Sequence, residues 1–296
     1  MTPLRELSKI FFDAFKSWLD DHSPRQAAAL AYFTIFTIAP LLVVIIAFVG
    51  LFLGEQQIRN EIRASITTSI GPEAAELVQG LIDSTFHPSG GLISTIISLV
   101  LLMLGALAVF NHLQAVLNII WKVPQPTNRS EGILRFLRGR LVAFAMILVA
   151  GALIVLSLIV NTLVAVYGRQ VLDPLPGTEA ILQVTNFLLS YGATTALFMM
   201  IFKFLPNART YWLDSFIGAA ITTFLFSLGR MALVWYFANA APSSAYGAAG
   251  SLIAMLVWVN YSAQIILYGA EFTHTFSRAR SKQIAERSLP KNPFMP

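Results

Sequence analysis

The 296-residue chain contains no cysteine, which excludes disulfides, thiolate metal sites and a cysteine nucleophile. Charge is scarce as well. Asp, Glu, Lys and Arg make up 12% of the residues, against about 25% in an ordinary soluble domain. The four histidines, His22, His87, His112 and His274, are scattered, and none falls in a metal-binding pattern such as H-E-x-x-H. No Walker A sequence and no G-x-S-x-G occurs, so these residues point to no catalytic group, metal or cofactor. The opening residues 1–20 mix acids and bases and do not read as a signal peptide. The first apolar stretch is therefore expected to act as an uncleaved insertion signal.

What the chain does have is apolar length, with 56% hydrophobic residues. Six stretches stand out: Ala27–Leu53, Leu92–Phe110 continuing to Trp121, Leu141–Val166, Ala180–Phe202, Ser215–Phe237 and Ala248–Ala270. Only the fifth carries a charge, Arg230. A helix rises about 1.5 Å per residue, so roughly 20 apolar residues cross a hydrocarbon core about 30 Å thick. The expected fold is an all-α integral membrane protein with six transmembrane helices. Residues 1–26 would form a cytoplasmic helix, 27–275 the membrane domain with an outer helical loop at 54–91, and 276–296 a basic cytoplasmic tail.

Loop charges give an orientation. Sixteen of the twenty Lys and Arg fall in residues 1–26, in the loops after spans two and four, and in the tail. The loops after spans one, three and five carry three. The positive-inside rule places both termini in the cytoplasm. The net charge of +5 is dispersed over short loops, which argues against a nucleic-acid partner and for membrane lipids. A homo-oligomer remains open.

The pieces outside the spans also carry helical periodicity. Leu4, Leu7, Phe11, Phe15 and Trp18 recur at helical spacing, as in an amphipathic helix lying in the interface or docked on the bundle. Ile58, Ile62, Ile66 and Ile70 form an i, i+4 stripe that Gly71-Pro72 ends. Pro72 suits the first position of a second helix holding Leu77, Val78, Leu81 and Ile82. The two read as an outer helical hairpin. Pro40, in the middle of span one, removes a backbone hydrogen bond and predicts a kink, a candidate for gating.

Polar side chains gather on single faces of the spans. Gln183, Asn186, Ser190 and Thr194 do so in span four, and Thr223, Ser227 and Arg230 in span five. Ser157 and Asn161 pair in span three, Asn111, Gln114, Asn118 and Lys122 in span two, and Asn260, Gln264 and Glu271 in span six. Amides facing lipid are costly, so these faces should point inward, either as interhelical glue or around a wet interior. Asn161, Asn186, Ser190 and Arg230 fall in the outer half by this topology. Asn111, Gln114, Asn118, Gln264 and Glu271 fall in the inner half or at the inner interface. These residues, with Ser227, are the candidate substrate-binding set; Glu271 is instead a candidate for proton coupling. A guanidinium at membrane depth costs about 2.5–3.5 kcal/mol, and no span offers Arg230 a carboxylate at its depth. Its expected partner is an outer-loop acid such as Asp83, helix carbonyls, a substrate anion, or water reached by snorkelling.

Three stretches resemble the YihY/virulence factor BrkB family of bacterial inner-membrane proteins. They are Gln26–Val44, with AAALAYFTIFTIAPLLVV inside it; FNHLQAVLNIIW, ending at Trp121; and Phe204 to Thr273, where YGAAGS, a W-x-x-Y, a Gln and GAEFT follow in order. Arg230 stands where lysine is the commoner family residue. The resemblance implies a bacterial inner-membrane location and roles in envelope integrity and in movement of lipid or lipopolysaccharide precursors. An old ribonuclease label attached to the family finds no support in these residues. The leading expectation is a transporter or flippase-like protein for an anionic amphiphile. A non-transporting envelope scaffold is the alternative, and a membrane-embedded enzyme a more distant one.

Overall fold

A computed structural model describes residues 3–35, 54–69, 72–85, 108–124, 139–142, 145–146, 149, 152–153, 156, 178–240 and 248–288. Among them there is no strand. The helices include α1 (Pro3–Asp20), α2 (residues 23–35), α3 (Glu55–Ser69), α4 (Pro72–Thr85), α5 (Ala108–Ile120), α6 (Thr178–Phe204), α7 (Trp212–Ala240) and α8 (Ala248–Ser288), and the described residues between 139 and 156 are helical too. Pro40, Ser157 and Asn161 lie outside the described residues, as do most of the first three apolar stretches and the side chains of Gln183 and Asn186.

Helices α6, α7 and α8 are long and apolar enough to cross a membrane, and α5 is a shorter apolar helix. At 27 residues α6 is about 40 Å long, more than the hydrocarbon thickness. On α7 the large side chains Phe224, Leu228, Met231 and Trp235 are exposed at helical spacing, the composition of a lipid-facing stripe. Six hydroxyls on these helices are satisfied locally. Thr194, Thr222, Thr223, Ser227, Ser262 and Thr273 each donate to the carbonyl four residues back. This back-bonding lets a polar residue sit in an apolar helix without an orphaned hydroxyl.

A reciprocal motif fixes α7 against α8. Gly218 and Thr222 on α7 face Thr273 and Gly269 on α8, each threonine lying over the other helix's glycine. Further along, Tyr261 covers Gly229, so the two helices run antiparallel. Small residues let membrane helices approach closely and gain packing where burial from water offers nothing. Helix α6 joins through the Thr195–Thr223 hydroxyl bond at 3.1 Å, the Tyr191 hydroxyl donating to the Ala220 carbonyl at 2.6 Å, and the Phe198–Phe226 ring contact. Val116, Leu117, Ile120, Phe202, Leu205, Ala219, Leu267 and Ala270 form the core where α5, α6, α7 and α8 meet.

The N-terminal helix is docked. Phe11 packs on Phe272 with ring centroids 4.8 Å apart, Ala14 is buried, and the Tyr268 hydroxyl donates to the Phe11 carbonyl. Its Leu7, Phe12, Phe15 and Leu19 stay exposed. One helix thus presents an apolar face to the bundle and another away from it.

Helix α8 runs unbroken past the apolar stretch that ends at Ala270 and on through the basic tail to Ser288. The Arg280 guanidinium bonds Asp214 at 2.7 Å, in the first turn of α7, tying this extension to the bundle.

Candidate functional site

Arg230 is exposed on α7 and faces α3. Glu61, Ala64, Ser65 and Thr68, spaced along one side of α3, complete an open cleft of about 240 Å³ with it. The expected partner Asp83 is engaged elsewhere: its carboxylate takes the Arg59 guanidinium at 2.8 Å across the α3–α4 pair. The acid that shares the cleft is Glu61, which the sequence reading passed over. Its signal was the polar spacing of 61, 65 and 68 on α3. A guanidinium beside two hydroxyl-bearing residues suits a phosphate or carboxylate. The Glu61 carboxylate, a like charge, disfavours a ligand of high net negative charge.

The amides expected to line an interior have partners. The Gln114 Nε2 donates to the Leu205 carbonyl at 2.9 Å, and the Asn207 backbone N–H donates to Asn118 Oδ1 at 2.8 Å. Both bind α5 to the turn between α6 and α7. That turn is further held by Lys203, whose ammonium bonds the Thr210 carbonyl and lies over the Trp212 ring. Gln264 donates to Asn260 one turn back on its own helix, at 2.6 Å. Ser227 bonds Thr223, while Asn111 and Ser190 are exposed. The candidate set therefore does not converge on one point. Arg230 and Ser227 lie together toward one end of α7, and Gln114 and Asn118 lie at the opposite end of the bundle.

That opposite end holds a different concentration of chemistry. Buried Trp18 Nε1, Ser23 Oγ, His112 Nε2, Glu271 Oε1, Thr210 Oγ1, Asp214 Oδ2 and Ser215 Oγ have no hydrogen-bond partner. Such orphans are uncommon in a packed interior. Glu271 is 1% exposed. Charged residues of two turns act on it electrostatically. One is Asp21-His22 after α1, with His22 in the left-handed region at φ 53°. The other is Trp121-Lys122 after α5, with Lys122 at φ 50°. The α5 end is a Schellman cap in which the Val123 N–H bonds the Asn118 carbonyl and the Lys122 N–H that of Ile119. Glycine usually takes that position; here a lysine does, bringing an ammonium toward Glu271. Of the described histidines, His112 packs on Phe33 and His274 on Trp121. No three His, Cys, Asp or Glu among the described residues are grouped to hold a metal.

Comparison with known proteins matches residues 14–292 to the family model described as Virulence factor BrkB. A UPF0761 membrane protein of Actinobacillus pleuropneumoniae serotype 5b (strain L20) is 29% identical, covering 88% of this chain and 91% of that protein. One from Haemophilus influenzae (strain 86-028NP) is 27% identical, covering 93% and 96%. A third, from Pseudomonas aeruginosa (strain LESB58), is 28% identical over 93% of this chain, which spans only 64% of that longer relative. No solved structure matches.

Proposed function

The chain belongs to the Virulence factor BrkB family, and from that premise we propose that it is a transporter or flippase-like protein of the bacterial inner membrane. Its substrate in this reading is an anionic amphiphile of the lipid or lipopolysaccharide-precursor class. Six spans cross the bilayer, with both termini in the cytoplasm. The observation that carries the reading is the Arg230 cleft. A permanently charged guanidinium stands beside a lipid-facing stripe, within reach of hydroxyl-bearing residues and with an acid opposite. That arrangement takes a phosphorylated head group from the side while its tails remain in the bilayer. Glu61 favours a head group that balances its phosphate with an amine.

The test is reconstitution of the full chain into vesicles containing fluorescently labelled phospholipid. Arg230→Gln abolishes labelled-lipid binding and translocation while the protein stays inserted; Arg230→Lys keeps part of both. Binding and translocation that are unchanged in Arg230→Gln overturn the reading. They would leave the second one, a non-transporting envelope scaffold, which the pairing of Gln114, Asn118 and Gln264 within the bundle favours.

A further inference from the structure

Helix α1 turns one side to the bundle and leaves a second apolar side bare. At about 100° per residue, Phe11, Ala14 and Trp18 share the docked side. Phe11 meets Phe272, Ala14 is buried and Trp18 packs against the core. Going round the helix, Phe15, Leu19 and Phe12 follow within an arc of about 60°. All three are exposed, Phe12 at 71%. Lys16 and Lys9 come next and are exposed too. Asp13 and Asp20, also exposed, come last, on the side farthest from the bundle. The order is apolar, basic, acidic. A helix at a membrane surface meets hydrocarbon, then phosphate, then water, and phosphate attracts cations and repels acids.

The contacts also give a depth. Thr273 of α8 lies against Gly218 of α7, and its neighbour Phe272 meets Phe11. Phe11 is therefore level with Gly218, which lies about 9 Å inward from Trp212, the first residue of α7. Tyr211 and Trp212 are exposed, as in the aromatic belt at a membrane–water boundary. An interfacial helix buries its apolar face about 5–10 Å below that boundary. The bare flank of α1 thus stands at the depth where hydrocarbon, not water, is its neighbour.

We propose that the outward flank of α1 is a lipid-binding face for anionic phospholipid. Helix α1 lies along the membrane surface, with Phe12, Phe15 and Leu19 among the acyl chains of the adjoining leaflet. Lys9 and Lys16 run their stems along that apolar flank and set their ammonium groups at the phosphates. The face is separate from the Arg230 cleft and does not depend on what the protein transports. Only the identity of that leaflet as the cytoplasmic one rests on the orientation proposed above.

The chain has no cysteine, so single labels are placed without background. Phe12→Cys and Leu19→Cys each carry an environment-sensitive nitrobenzoxadiazole on the proposed face, and Asp13→Cys carries it on the outward one. The full chain is held in nanodiscs of phosphatidylcholine and phosphatidylglycerol in equal parts. The expected result is blue-shifted emission at 12 and 19, quenched to a similar extent by a doxyl group high on the acyl chain, and aqueous emission at 13. The same doxyl group should quench more strongly when phosphatidylglycerol carries it than when phosphatidylcholine does. Lys9→Gln together with Lys16→Gln should abolish that difference while leaving the blue shift. Two reporters on the face keep the test decisive if one substitution unfolds the chain. Aqueous emission at 12 and 19 would put the face in water. Shifted emission that no lipid quencher reaches would mean that a second copy of the chain covers it. Either result overturns the proposal, and equal quenching by the two lipids with both lysines present overturns the assignment to anionic lipid.

Discussion

Alanine at Gly218 tests the α7–α8 interlock directly. A methyl carbon added there would stand 2.8 Å from the Cβ of Thr273 and nearer still to its hydroxyl; at Gly269 the matching distance to the Cβ of Thr222 is 2.9 Å. Non-bonded carbons prefer about 3.5–4.0 Å, so the helices must part by about 1 Å or the threonine must turn. Turning is opposed, because each hydroxyl is bonded at 2.7 Å to the carbonyl of the glycine one turn back on its own helix. Overpacking of this kind costs about 1–3 kcal/mol. Against it, alanine gains about 0.8–1.0 kcal/mol of helix propensity over glycine. Gly192→Ala on α6 isolates that gain, since a methyl there meets nothing within 4 Å. The measurable quantity is the gap between the two substitutions, about 1–3 kcal/mol, read from mixed-micelle unfolding followed by tryptophan fluorescence. Thr273→Ala added to Gly218→Ala removes the nearest atoms and should recover part of the loss, a coupling of about 0.5–3 kcal/mol in a double-mutant cycle. If Gly218→Ala and Gly269→Ala are as stable as Gly192→Ala, the helices are not held at the separation described and the interlock is wrong.

Two further substitutions follow from the polar contacts. Arg280→Ala leaves the buried Asp214 carboxylate without its partner. Because Arg280 is 39% exposed and the α7 dipole still favours an acid in its first turn, the cost is about 1–2 kcal/mol rather than that of a fully buried pair. Limited proteolysis should then cut the end of α8 earlier, and Asp214→Asn in the same chain should restore most of the stability. Asn118→Ala removes the acceptor for the Asn207 N–H and should cost about 1 kcal/mol. The turn at 205–211 should become the first site of protease cleavage, while Asn111→Ala, at an exposed position of the same helix, should leave it intact.

The long apolar elements were legible from the sequence. The stretches at 180–202, 215–237 and 248–270 correspond to α6, α7 and the first part of α8. Uninterrupted apolar length is a local property, and a helix is the local way to satisfy the backbone without water. Pro72 opens α4 for an equally local reason, since its missing N–H is not needed in a first turn. The end of α8 was not legible, because what holds Arg278 to Ser288 in line is a contact from Arg280 to a residue 66 positions earlier. The amphipathic pattern of α1 left two readings, and both faces are used: Phe11 and Ala14 pack inward while Phe12 and Phe15 remain exposed. For Arg230 the sequence offered Asp83 as a partner, but Asp83 pairs with Arg59 across the α3–α4 pair at 2.8 Å.

The sequence alone determined that this chain lives in a membrane, because the drive to bury some twenty apolar residues in hydrocarbon adds up along a single segment. It also marked the polar residues inside those segments as costly enough to need a purpose. Which purpose each serves was decided by tertiary structure. Gln114 and Asn118 reach a turn far away in sequence, Arg230 opens onto α3, and Glu271 is buried. A hydrogen bond between distant segments depends on ångström-scale approach, and periodicity along one helix carries no record of that.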